Sequence, residues 1–276
     1  MAQDLHAVLT GTTPPQVDRL LRRAFLNNPI EASINAFLID TGRRLILVDT
    51  GAGRLFGSGS GGKLVASLAA AGYRPEQIND ILITHVHTDH SGGLTDGPRI
   101  VFPNATVHAG QPDLDFYLNP ANAQTSGIPQ RFFDEAQATV GLYARAGKVR
   151  GFSGRTQLFP GVVAVPTPGH TPGHAFYRVE SREEAIEFWG DIMHFGVVQF
   201  PRPAITVRYD VDSPAAAGQR AKQFAAAARD RRRVAVAHVN FPGIGNLRAE
   251  RGGEYIWVPV EYRDPGAGRP EAQAPR

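Results

Sequence analysis

The segment "THVHTDHSGGL", residues 84–94, places three histidines and an aspartate within six consecutive positions, His85 to His90. The whole chain has only 9 histidines among 276 residues. Drawn at random from this composition, H-x-H-x-D-H arises in roughly one such chain in a thousand, so the spacing asks for a mechanism. An extended turn after the apolar run "ILI" lets His85 and His87 point to one side, while Asp89 and His90 reach a second point beside it. Neutral imidazole and carboxylate suit zinc, manganese, iron or cobalt. Further candidates are His170 and His174 in "PTPGHTPGHAF", Asp191 and His194 in "EFWGDIMHF", and His238 in "VAVAHVNF". His6 and His108 have no such context and read as ordinary polar residues.

Converging these residues requires strands that end at one place. "INAFLID" (34–40) and "RLILVD" (44–49) flank "TGR" and predict a hairpin. "DILIT" (80–84), "ATVHAG" (105–110), "GVVAVP" (161–166), "HAFYRVE" (174–180), "AIEFWGD" (185–191), "RVAVAHV" (233–239) and "YIWVPV" (255–260) read as further strands. Helical spacing marks 63–73, with Gly72 as C-cap, and 129–146. The Ala-rich stretch 213–230 reads as a helix capped by Ser213 with Pro214 at its first position. Residues 111–133 read as loop-rich. His85, His170, Asp191 and His238 fall at or after predicted strand ends. Strand runs followed twice by helices predict an α+β fold of two sheets packed face to face with helices outside.

Bulk properties narrow the function classes. With 42% hydrophobic residues the chain can bury one large core, so residues 1–262 are expected to form a single domain, with a disordered Pro/Gly-rich tail over 263–276. No apolar run reaches about 18 residues, so no membrane span is expected. No leader segment is visible, which points to a cytoplasmic protein on this sequence, or to a periplasmic or secreted one if an upstream signal is missing. The absence of cysteine excludes disulfides, thiolate catalysis and Cys-bound zinc. Net charge is +3, and the one basic cluster, "RDRRR" at 229–233, reads as a solvated helix end rather than a nucleic-acid contact.

H-x-H-x-D-H with a downstream histidine, aspartate and histidine resembles the metallo-β-lactamase superfamily, over about Ile34 to Val260. "LVDTGAG", "FSG", "HTPGH", "GDIMHFGVVQF" and "FPGIGNLRAE" followed by "YIWVPV" are similar to its methyl parathion hydrolase group, whose relatives include lactone and aryl-ester hydrolases. The resemblance implies an αββα sandwich of two mixed sheets with the metals at one edge. It implies two divalent ions, zinc first, one held by His85, His87 and His170 and the other by Asp89, His90 and His238, with Asp191 bridging. Two such ions bring a bridging water toward ionisation at neutral pH, so a hydroxide can attack a lactone, aryl ester or phosphotriester without a protein nucleophile. His174 matches a histidine that is not a ligand, and Asp49 a carboxylate that orients one.

Asp89, Asp191 and His194 are the residues expected to take part in the chemistry, His194 as a donor to the leaving group. Phe56, Tyr117, Phe132, Phe133, His194, Phe195 and Tyr209 are expected to line a pocket for a small hydrophobic substrate. Two departures bear on function. The family begins with a further pair of strands upstream of the matching region, so the expectation is either a sequence truncated at a wrong start or a sheet that lacks its first strands, with a homodimer to cover the edge. The phosphotriesterases of the group carry an apolar residue where His194 stands, which favours lactones and aryl esters over a dedicated phosphotriesterase.

Overall fold

The computed structural model describes residues 2–57 and 59–261; the tail expected to be disordered lies outside the described residues. Two mixed sheets form the frame. The five-stranded sheet runs Val149–Phe152, Thr106–Gly110, Asp80–Leu82, Leu45–Val48, Phe37–Asp40, parallel except for the last hairpin pair. The seven-stranded sheet runs Thr156–Phe159, Val162–Pro166, Ala175–Ser181, Glu184–Phe188, Arg233–Ala235, Ile244–Ala249, Tyr255–Pro259.

Side-chain alternation decides what packs where. Ile46, Val48 and Leu82 meet Val162, Ala164, Ala175, Tyr177 and Phe188 between the sheets. Their neighbours Leu47, Ile81 and Ile83 face the opposite way, under Tyr117, Phe133, Ala136 and Tyr143 from the outer helices. On the far side, Phe176, Val234 and Leu247 receive Phe224 and Ala227 of the helix Ser213–Arg229. The result is an αββα sandwich, as the strand-and-helix order implies. Removing the fully buried Phe224 ring would cost about 3–5 kcal/mol.

The structure corrects several local expectations. Asp212, not Ser213, caps the long helix, because its side chain accepts the Ala215 N–H. The 129–146 stretch is two helices, Gln130–Ala138 and Val140–Arg145, broken at Thr139, whose hydroxyl bonds back to the Glu135 carbonyl at 2.8 Å. Residues 111–133 are not loop-rich; Gln111–Tyr117 and Pro120–Thr125 are helical, each with a proline in its first turn.

The N-terminal region supplies a helix the sequence reading missed, Pro14–Arg23, whose buried Val17, Leu20 and Leu21 pack on Phe195 and Val198. Leu9–Thr10 pairs antiparallel with Thr206–Val207 and so ties this region to the segment that follows Asp191. Among the described residues, no strand pairs beyond the edge strand Phe37–Asp40.

Candidate metal centre

The strands Asp80–Leu82, Glu184–Phe188 and Arg233–Ala235 stop at one edge of the sandwich, and the loops beyond them carry His85–His90, Asp191 and His238. Two glycines make the convergence possible. Gly190, at φ +55°, lets the chain turn toward Asp191 so close to Thr84 that a Cβ would lie 2.6 Å from its side chain. Gly93 crosses Thr50 where a Cβ would meet the carbonyl oxygen at 2.1 Å.

Asp191 is the centre of the cluster. Its Oδ2 lies 3.6 Å from His85 Nε2 and 3.3 Å from His170 Nε2. Its Oδ1 lies 3.2 Å from His90 Nε2 and 3.1 Å from His238 Nε2. On the first side, His87 Nδ1 stands 3.1 Å from His85 Nε2 and 3.0 Å from His170 Nε2. On the second, Asp89 Oδ2 stands 3.7 Å from His90 Nε2 and 3.5 Å from His238 Nε2. The seven residues proposed from the sequence are therefore brought together, with one oxygen of Asp191 turned to each triad.

The outer nitrogens fix which atoms face inward. His90 Nδ1–H donates to Asp49 and His170 Nδ1–H to Asp210, both at 2.8 Å, and His238 Nδ1–H donates to the Ser33 carbonyl at 2.7 Å. Those outer bonds turn the Nε2 atoms inward; burial opposes charge on these three rings, but Asp191 raises their pKa, that of His170 to about 9, so a cation would take the place of inner protons. Burial drives His85 and His87 well below the ordinary imidazole pKa, so these two are neutral. Asp191 stays ionised: burial opposes it, but His238, His90 and His194 hold its pKa well below the usual carboxylate range. His90 Nε2 and Asp191 Oδ1 are buried with no hydrogen-bond partner. Imidazole nitrogens and carboxylate oxygens that converge on shared points, two of them without a hydrogen-bond partner, fit divalent cations.

His174 lies beside the cluster and turns another way. Its Nε2 accepts the Asp191 backbone N–H at 3.0 Å and its Nδ1 meets the Thr167 hydroxyl at 2.8 Å, so it positions Asp191. Sequence reasoning missed Asp210 and Asp113. Asp113 is fully buried and accepts from Val86 N, Thr171 Oγ1 and Gly173 N at 2.6–2.9 Å, joining the His85–His87 loop to the His170 loop. Burial pushes its pKa up to about 6 against those three donors. No spacing in the sequence marks either aspartate.

A cavity of about 430 Å³ opens onto the cluster, and Phe56, Phe132, His194, Phe195 and Tyr209 line it. Tyr117 and Phe133, expected there, do not: both are packed in the helical core. Tyr117 instead reaches the cluster from behind, its hydroxyl 2.9 Å from His87 Nε2. Helix Gln111–Tyr117 turns its apolar face inward, which the reading of this stretch as a loop could not anticipate. His6 pairs with Asp18 near the surface and His108 with Asp80, both apart from the cluster.

The sequence profile of the metallo-beta-lactamase superfamily matches residues 30–238. With that match, this sandwich and this cluster, the chain belongs to the metallo-beta-lactamase superfamily. Among solved structures it is similar to the hydrolase AbOPH of the beta-lactamase superfamily, 34% identical over 93% of this chain and 90% of that one, with a TM-score of 0.87. It is also similar to AidC, a dizinc quorum-quenching lactonase solved with the product N-hexanoyl-L-homoserine, 26% identical over 96% of this chain and 92% of that one, TM-score 0.86. A probable metallo-hydrolase of Mycobacterium bovis is 29% identical over 58% of this chain and 56% of its own length. The chain spans about half the length of the curated relatives it first matches. Among the described residues no helix is long and apolar enough to cross a membrane.

Proposed function

We propose that this protein is a dinuclear metal-dependent hydrolase that opens lactones or cleaves aryl esters. The observation that carries this reading is Asp191, with one carboxylate oxygen turned to each of two triads. His85, His87 and His170 would hold one ion and Asp89, His90 and His238 the other, with zinc the proposed metal. When bound, two such ions acidify water and polarise a carbonyl oxygen.

The chain's own residues supply the rest. Asp49, Asp210 and the Ser33 carbonyl keep three histidines in the tautomer that presents Nε2 inward. Phe56, Phe132 and Phe195 shield the cavity and offer an apolar seat. Tyr209 keeps its hydroxyl proton, because burial and the carboxylates Asp89 and Asp191 push its pKa up, and so remains a donor at the cavity wall. A larger groove of about 1250 Å³ shares His194, Phe195 and His238 with the site and has room for an acyl chain on the substrate. The likeness to a lactonase solved with an acyl-homoserine product supports the same substrate class.

A phosphotriesterase of the methyl parathion hydrolase kind is the second reading, favoured by the aromatic wall of the cavity. A phosphotriester is bulkier and already tetrahedral, and the imidazole of His194 on that wall opposes its apolar substituents. We expect kcat/KM for an acyl-chain lactone to exceed that for a methyl phosphotriester by at least ~10-fold, about 1.4 kcal/mol. Paired kinetics on protein of defined metal loading measures the ratio, and a preference for the phosphotriester reverses the two readings. A homodimer belongs to the same proposal: Phe25 and Phe241 are 96% and 80% exposed, and Phe37–Asp40 is an open sheet edge. Light scattering that shows a stable monomer at micromolar concentration removes that element.

A further inference from the structure

Seven histidines gather at the Asp191 end of the sandwich, and six have an outer ring nitrogen fixed by a partner. His85 meets the Thr84 hydroxyl at 3.1 Å, His87 the Tyr117 hydroxyl at 2.9 Å, and His174 the Thr167 hydroxyl at 2.8 Å. His90, His170 and His238 donate to Asp49, Asp210 and the Ser33 carbonyl. His194 is the exception. It is 5% exposed, yet neither ring nitrogen has a hydrogen-bond partner of acceptable geometry.

The main chain at His194 is held firmly. The Gln199 side-chain oxygen accepts the backbone N–H groups of His194 at 2.7 Å and Phe195 at 3.0 Å, and its amide donates to the Ile205 carbonyl. The ring above this fixed base is directed inward. Its Nε2 lies 2.9 Å from Asp191 Oδ2, the oxygen that faces His85 and His170. Donor atoms of His170, Asp191 and His194 lie within 4.8 Å of one another. A buried imidazole with Nδ1 unpaired and Nε2 only in a poorly aligned contact with Asp191 is costly unless something absent from the protein's own hydrogen bonds satisfies it.

We propose that His194 is a further, displaceable ligand of the ion held by His85, His87 and His170, an assignment that rests on the dinuclear reading above. It revises the sequence-based expectation of a proton donor, since Nε2 is turned to the Asp191 oxygen that faces that triad. The missing anchor makes this ligand exchangeable. Outer partners orient a ligand ring and raise its basicity, and their loss weakens metal affinity about 10–100-fold. His194 can turn about its Cα–Cβ bond without breaking a hydrogen bond. Because it also lines the cavity, an oxygen donor on an incoming substrate competes with it for the same place.

The test uses the full chain loaded with cobalt(II), read by elemental analysis, visible absorption and chelator competition. His194→Ala is expected to keep two ions, to shift the cobalt bands, and to weaken the more histidine-rich site by at least about 10-fold. Added imidazole should return the bands toward those of the wild type. His194→Gln, which keeps a polar side chain of similar bulk, should show the same shift and guards against a folding defect in the alanine variant. Cobalt bands and affinity in both variants equal to wild type, with two ions present, overturn the assignment of His194. Wild-type protein that retains fewer than two ions overturns the dinuclear reading itself.

Discussion

Two buried histidine–aspartate groups flank the short strand Asp80–Leu82, and they differ in one respect. At its start, Asp80 receives Arg44 at 2.6 Å and His108 Nε2 at 2.9 Å, and the carboxylate charge is balanced within the group. Three residues past its end, His85 enters a cluster in which His90 Nε2 and Asp191 Oδ1 are buried without a hydrogen-bond partner. In both places the histidine and aspartate are buried, though Arg44 at the first is half exposed. Completeness separates them: a group that satisfies itself stabilises a fold, whereas one left open toward its centre is built for a cation.

The sharpest way to break this comparison is to neutralise both aspartates. Asp191→Asn is expected to lower kcat/KM by about 100-fold or more and to lose at least one ion, since one oxygen faces each triad. Asp80→Asn should leave metal content and kcat unchanged and lower stability by about 1–3 kcal/mol, the cost of a charged hydrogen bond whose Arg44 partner is half exposed. Elemental analysis, kinetics and urea unfolding read all three quantities. Equal loss of metal in the two variants would end the distinction.

A smaller effect separates the two sides of Asp191. Asp210→Asn removes the acceptor on His170, and Asp49→Asn the one on His90. Each should weaken one ion by about 10–100-fold and spare the other, so chelator titration should show one affinity move at a time. Both affinities moving together in either variant would mean the triads are not separable.

The smallest effect concerns pH. Burial lowers His174 to a pKa of about 3, so it is neutral in the folded protein. Above the ordinary imidazole value of about 6.5 both folded and unfolded forms are neutral and nothing is lost. As pH falls below it, the unfolded chain takes up the proton first, and stability drops by up to about 1.4 kcal/mol per unit until about pH 3. His174→Gln lacks this titration, so its stability deficit relative to wild type should shrink as pH falls from 7 to 5. A deficit that is flat across that range would show that His174 does not titrate as its burial requires.

Much of the site was legible in residue types. H-x-H-x-D-H needs only a strand end and a tight turn, and the local chain supplies both. His170, Asp191 and His238 could be assembled because each follows an apolar strand of recognisable length. Asp49 was also readable from its place after "LILV", and its carboxylate is on His90.

What failed were positions whose role depends on distant neighbours. Tyr117 and Phe133 were read as pocket aromatics, but the helices that carry them face the sheet. Asp210 stands 40 residues from His170 and Asp113 stands 58 from Thr171, so no local pattern could pair them. The sequence by itself determined the strands, the apolar alternation that stacks two sheets, and the ligand types, because each is set by periodicity or by neighbouring residues. Only the tertiary structure decided which nitrogen of each histidine faces inward, which aromatics reach the cavity, and that His194 alone among the clustered histidines has no anchor. Those facts depend on contacts between residues 30 to 205 positions apart, where packing rather than sequence order sets the distance.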